Sequence, residues 1–420
     1  MVIYEKVVNT VEPYAIVFNC YFNGLSIIQE LGKNGIKCIA MDCIRDIGTF
    51  SKYAQYQKCP DPLENEDEFI YFLYNFCKKL NHKPVLFPTN DHWAVAISKN
   101  KKLLSEVSLP VVADWETVKI LVNKNLFYEI GDKMNYLTPH SWDINDLNNL
   151  NEENFPIIAK PVFRRTSSNE DLKYITQNMD RLRFNIIKNK NELVKFIKRE
   201  NEFIDKLIFQ EYVNGMSDSM YTVGIYSDRH SEILGLFTGH KVRGYPADSG
   251  DCVVGECVKV PEHIIKNTRR IVKDLKYSGI AEFEYKKDSI SGEFKLIEVN
   301  PRSWSWIGIT PACGVSLPLI AYKDSCGQNV TFTESNQKDS SVRYVKIIQD
   351  FFNCNFNYKK DYPQWNMSLS EWIHDINTKK IIFAEFNAGD WMISIRLLYG
   401  SLVRVTGSLK NSIFNHSNTK

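Results

Sequence analysis

The sequence predicts an α/β protein, with a parallel sheet in its first part and antiparallel strands later. Three observations point there. Residues 1–110 alternate short apolar runs with helical stretches, the order that builds strand–helix–strand units with right-handed crossovers. From residue 156 onward the strand-like runs lengthen and follow one another through turns. The 420 residues are 44% hydrophobic and 24% charged, as in an ordinary globular protein.

Each early element has a local reason. Tyr14–Asn19 is a short apolar strand. A turn with Asn23-Gly24 leads into a helix at Leu25–Leu31, closed by Gly32 and Gly35. Ile36–Asp42 is a second strand, Asp67–Leu80 a helix with aromatics on one face, and Pro84–Pro88 a third strand. Asn90-Asp91 and the helical stretch Trp93–Lys99 follow. Strand one ends in NCYFNG, which lacks two of the three glycines of a GxGxxG dinucleotide turn, so no dinucleotide is expected there.

Next come a helical section at Leu109–Trp142, strands Pro156–Val162 and Leu207–Tyr212, and between them a helix near Asn191–Arg199. Strands follow at Ser219–Ser227 and Ile233–Thr238, then a helix at Glu262–Leu275. A hairpin pairs Ile280–Lys287 with Phe294–Asn300. No internal repeat is found.

Lys+Arg 52 against Asp+Glu 50 leaves +2. No global field draws such a chain onto nucleic acid or an anionic membrane. No stretch reaches the ~18 apolar residues of a spanning helix, and MVIYEKVVNT has no apolar core of signal-peptide type, so a cytoplasmic protein is expected. Ten cysteines without a CxxC pair read as free thiols rather than disulfides or zinc ligands.

The hairpin carries the most chemistry. Alternate residues of a strand share a face. Glu282 and Glu284 therefore share one, as do Glu298 and Asn300 on the partner strand. Two registers bring the acidic faces together, and like charges across a ladder cost up to ~1 kcal/mol. A magnesium ion, which takes oxygen ligands, removes that cost; a solvated face is the alternative. Pro301-Arg302 follows directly, and an arginine there suits a phosphate. Lys160 interrupts the apolar run IIAKP, which calls for an anion: a nucleotide phosphate or a buried salt bridge. Lys241 and Arg243 lie two apart on a strand, to face a phosphate, a substrate carboxylate or only solvent. Trp304 and Trp306 either shape a substrate pocket or fill the core.

In order, Lys124, Lys160, QEYVNG, the acidic hairpin and LIEVNPR resemble the ATP-grasp superfamily of carboxylate–amine ligases over residues 1–330. Within it the chain is most similar to the D-aspartate ligase-like group, through PTND (Pro88–Asp91), GHKVRGYP (Gly239–Pro246) and the aromatics after NPR. The resemblance implies a Rossmann-like domain over 1–115 and a two-lobed ATP-grasp domain with antiparallel sheets over 116–330. Its small lobe would span about 140–210 and its large lobe about 211–330, with a closing subdomain over 331–420. It implies that Lys124 and Lys160 bind ATP phosphates, that Gln210, Glu211, Tyr212 and Val213 receive adenine, and that Asp218 holds ribose. Glu284, Glu298 and Asn300 would hold two Mg²⁺ ions, or Mn²⁺, with Glu282 beside them. Arg302 would meet the transferred phosphate, with Lys241 and Arg243 as further catalytic cations.

The implied reaction joins a carboxylate to an amine, an amino acid or an envelope precursor among them, through an acyl phosphate. A homodimer is implied by many relatives. The alternatives are a carboxylase or carbamoyl-phosphate-type kinase, a nucleotide-binding regulator without turnover, and a membrane-peripheral factor anchored by 391–405. Where many ATP-grasp enzymes carry a glycine-rich loop, this chain has PVFRRTSSNEDL. Arg164, Arg165 and the hydroxyls of Thr166–Ser168 are expected to replace its donors, and Arg164–Asn169 to serve in a lid.

Overall fold

The computed structural model describes residues 12–162, 181–182, 184–248, 250–335, 342–377 and 379–397. The expected phosphate-covering loop at 163–169 lies outside them.

The chain has the predicted mixed α/β architecture, in three sheets. The first is parallel and comprises β1 (Ala15–Phe18), β2 (Cys38–Asp42), β3 (Ala54–Lys58), β4 (Val85–Phe87) and β5 (Leu109–Pro110). Their order is β3-β2-β1-β4-β5. β1, β2 and β4 are buried throughout, which suits a parallel sheet covered on both faces. β3 escapes sequence reading because AQYQK is a polar edge strand without an apolar pattern.

The second sheet is small and antiparallel. It holds β6 (Ser141–Trp142), β7 (Ile157–Pro161), β8 (Asn185–Ile187) and β9 (Leu207–Glu211), ordered β6-β9-β7-β8. Its outer face packs Ile157, Ala159, Leu207 and Phe209 with the helix Lys190–Arg199. Glu200 closes that helix, accepting bonds from Arg181 and Arg199. Arg181 above all holds the Glu200 carboxyl down to about 2. A depressed carboxylate stabilises the fold above its unfolded value and loses that contribution as pH falls. Glu200→Gln is therefore expected to lower the melting temperature at pH 6. The gap should shrink as pH drops from about 4.5 towards about 2, as read by melts across that range.

The third sheet is the large one. Its strands are β10 (Met220–Ser227), β11 (Ile233–Tyr245), β12 (Asp251–Cys257), β13 (Gly279–Lys287), β14 (Phe294–Asn300), β15 (Thr333–Glu334), β16 (Val342–Val345) and β17 (Lys380–Phe383). The order is β14-β13-β10-β11-β12-β16-β17, with β15 on β11. Among the described residues of 331–420, expected as a closing subdomain, β16 and β17 extend this sheet at its β12 edge. All ten cysteines are free. No helix among the described residues is long and apolar enough to cross a membrane.

One face of the large sheet is flattened by glycine. A Cβ on Gly224 would come within 2.1 Å of the Trp304 ring, and one on Gly239 or Gly255 within 2.8 or 2.6 Å of Trp306. Both tryptophans are 1% exposed and pack with Phe237. They fill the core beside the acidic hairpin.

Candidate active site

The helix Lys124–Met134 starts the site. Asn123 caps it by accepting from the Leu126 amide. Lys124 and Tyr128, one turn apart, point the same way. The Lys124 ammonium lies 2.8 Å from Glu298 Oε1. The Tyr128 hydroxyl donates to the carbonyl of Ile297 and accepts from Lys160 Nζ at 3.0 Å. Bonds from Lys124 to Glu298 and from Tyr128 to Ile297 on β14, and from Lys160 on β7 to Tyr128, thus tie this helix to both antiparallel sheets. Sequence reading missed Tyr128, although its spacing of four from Lys124 was the signal.

Lys160 and Gln210 share the inner face of the small sheet. Lys160 pairs with Ile208 and Gln210 with Ile158, in one antiparallel ladder. Gln210 is 1% exposed, and its Nε2 finds no partner among the described residues. Glu211 ends β9, Tyr212 and Val213 follow it, and all three line a cleft of about 180 Å³ with Asn214 and Lys295. Glu211 is partly held, accepting from the His140 amide at 3.1 Å. Asp218 is exposed, on the turn Ser217–Ser219.

The hairpin register places Glu284 opposite Glu298 and Glu282 opposite Asn300. Each opposed acid has its own lysine: Lys124 on Glu298 and Lys241, at 2.8 Å, on Glu284. Burial alone would depress the Lys241 ammonium, but Glu284 and Glu282 outweigh it and hold the proton on. Glu282 is pushed well above the ordinary carboxylate range, first by burial and then by Glu284. It accepts from the Thr222 hydroxyl at 3.1 Å and from Asn300 Nδ2 at 3.0 Å. That bond turns Asn300 Oδ1 towards Arg302, which donates to it at 3.1 Å. Arg302 also donates to Asp91 Oδ1 at 2.8 Å and to the Ser303 carbonyl.

Asp91 opens the helix that follows β4 of the parallel sheet, and PTND explains its place. The Thr89 hydroxyl bonds the carbonyls of Phe18 and Asn19. Asn90 caps the helix Asp91–Lys99 by accepting from the Trp93 amide. Asp91 then stands in the first turn, aimed at Arg302.

Arg243 departs from expectation. Lys241 pairs with Gly255 but Arg243 with Val254, so Val242 is an extra residue and the alternation flips. Arg243 turns to the opposite face from Lys241. There it grips Asp350 with two bonds of 2.8 Å and Asp375 with one of 2.9 Å. At 3% exposure it anchors the C-terminal segment and does not reach the Glu284 side.

The oxygen donors Glu284, Glu298 and Asn300 fit a hard divalent cation. The test is the register itself, which opposes two carboxylates that need positive charge between them. Among the described residues no three His, Cys, Asp or Glu side chains gather closely enough to hold a metal alone. Magnesium held by one or two carboxylates plus substrate phosphates needs no such cage.

No family model matches the chain. It is 23% identical over 325 residues to the D-aspartate ligase of Enterococcus faecium (strain Aus0004), covering 72% of this chain and 74% of that one. The chain is thus similar to that ligase over about three quarters of its length. The fold of the chain is similar to that of the L-amino acid ligase of Bacillus licheniformis. There the TM-score is 0.54 at 16% identity, over 76% of this chain and 75% of that one. It also matches the biotin carboxylase domain dimer of Hydrogenobacter thermophilus 2-oxoglutarate carboxylase, solved with MgADP and bicarbonate. That TM-score is 0.55 at 14% identity, over 77% and 72% of the two chains.

Proposed function

We propose that this protein is an ATP-grasp enzyme that forms an amide bond between a carboxylate and an amine, at least one of them an amino acid, with release of ADP and phosphate. The observation that carries the reading is the opposed pair Glu284 and Glu298, each neutralised by its own lysine. Two opposed acids flanked by two lysines suit a polyphosphate with its cations better than any neutral ligand.

In this reading the carboxylate oxygen attacks the γ-phosphorus of ATP and the bond to the β-phosphate oxygen breaks. ADP leaves with the electron pair. The amine then attacks the acyl carbon, phosphate departs, and the amine loses a proton to solvent or a base. Lys124 and Lys160 bind the phosphates from the small-lobe side, and Lys241 and Arg302 from the hairpin side. Glu284, Glu298 and Asn300 would hold Mg²⁺, which when bound offsets charge on the phosphates. Asp91 and Asn300 fix the Arg302 fork in place. Gln210 to Val213 receive adenine, and Asp218 the ribose. Arg243 has no contact role in this scheme.

Phosphate release from MgATP by the purified protein tests the reading, across pools of amino acids offered as acid and as amine. Release that requires both partners, with a product heavier than either, is expected. Release that requires bicarbonate alone would replace the ligase with a carboxylating enzyme. Tight ATP binding with no turnover in any pool would favour the regulator.

A further inference from the structure

We propose that Lys286 contacts the nucleoside half of ATP, its ammonium donating to a ring nitrogen of the purine. The proposal rests on the reading of Gln210 to Val213 as the nucleotide linker.

Lys286 lies on β13, two residues beyond Glu284 and four beyond Glu282, and the pairing of β13 with β10 is unbroken across all three. The three side chains therefore share one face. Two residues of strand span ~6.6 Å, so Lys286 stands one step past the acids in the direction away from Asn300. Its ammonium sits 5.1 Å from the centre of the Tyr212 ring, and Tyr212 belongs to the linker. The phosphate-binding groups lie at one end of this row and the linker at the other. Lys286 is at the linker end.

The residue is 6% exposed, and among the described residues no carboxylate or hydrogen-bond acceptor pairs with it. Asp248, Asp288 and Asp218 act on it only at longer range. A buried ammonium without an acceptor is costly, and a ring face returns only part of that cost. Gln210, the first residue of the linker, shows the same pattern, with an amide nitrogen that finds no acceptor among the described residues. One buried, unanswered donor thus lies in the linker and another against its Tyr212 ring. A purine ring supplies acceptor nitrogens in its plane. A phosphate would instead be drawn to Lys124, Lys160 and Lys241.

The test uses the full chain with Mg²⁺. Lysine acylation at pH 8 is followed by peptide mass spectrometry, alone, with ATP and with inorganic tripolyphosphate. ATP is expected to protect Lys286 and tripolyphosphate to leave it reactive. Calorimetric titration of Lys286→Met should show ATP bound about tenfold or more weakly and tripolyphosphate unchanged. Lys124→Met should weaken ATP binding too, through the phosphates. ATP bound with Lys286 still fully reactive would overturn the proposal, and so would equal protection by tripolyphosphate. Wild-type protein that binds no ATP would sink the linker reading itself, an outcome distinct from either.

Discussion

Glu298→Gln is expected to remove ATP-dependent phosphate release while leaving the fold intact. The substitution keeps the shape and one hydrogen-bond acceptor for Lys124, whose ammonium lies 2.8 Å from the carboxylate. It removes the negative charge that opposes Glu284 across the ladder. If the pair holds a divalent cation, half of its carboxylate ligation is gone. Residues that merely orient a metal ligand cost about 10–100-fold when changed, so loss of a ligand should exceed a hundredfold. The check is phosphate release at saturating MgATP, beside a thermal melt of the same sample. An unchanged rate with an unchanged melt would remove Glu298 from the chemistry. Glu298→Ala is the harsher change, since it leaves Lys124 without its acid, and its melt should fall.

The second large effect is structural. Asp350→Asn should destabilise the protein by about 3–5 kcal/mol, the usual result of leaving one partner of a buried pair uncompensated. Asp350 is fully buried. It takes two bonds from Arg243 and one of 2.9 Å from the Trp372 indole. Asp375 alone would then answer Arg243, and Asp375 also serves Arg343. Burial would raise the Asp375 carboxyl, but Arg243 and Arg343 outweigh it and hold the pKa down. Urea unfolding should show a lower midpoint for the variant. The Michaelis constant for ATP should stay near the wild-type value at temperatures where both fold. A large change in ATP affinity with no loss of stability would return Arg243 to the nucleotide side of the sheet.

The two variants separate what strand alternation predicts from what a single extra residue undoes. Glu282, Glu284, Glu298 and Asn300 were readable because β13 and the end of β14 keep the period of two. Lys241 was readable for the same reason. Arg243 was not, because the bulge at Val242 reverses the face, and a bulge leaves no dependable mark in one sequence. Lys160 was singled out by its cost inside an apolar strand, and its answer, Tyr128, came from a helix that the run LFYEIG only loosely suggests.

Other features had weaker signals. β11 runs seven residues past the expected Thr238, because Gly239 and Gly244 lower its strand character. The tertiary structure explains Gly239 by the Trp306 ring against it. β16 and β17 are four residues each, and the apolar residues of β12, β16 and β17 are answered by neighbours far away in the chain. Asp91 could be found only as part of PTND, with nothing to say that its partner would be Arg302.

The sequence by itself determined the α/β class, the order of the cationic and acidic pieces and the face on which the hairpin acids stand. These are local matters of period and turn chemistry. The tertiary structure decided the register that opposes Glu284 to Glu298, the pairing of Asp91 with Arg302 and the removal of Arg243 to the far face. It also decided the union of the last strands with the large sheet. Those depend on which surfaces meet, and the energy of such contacts is shared between residues hundreds of positions apart.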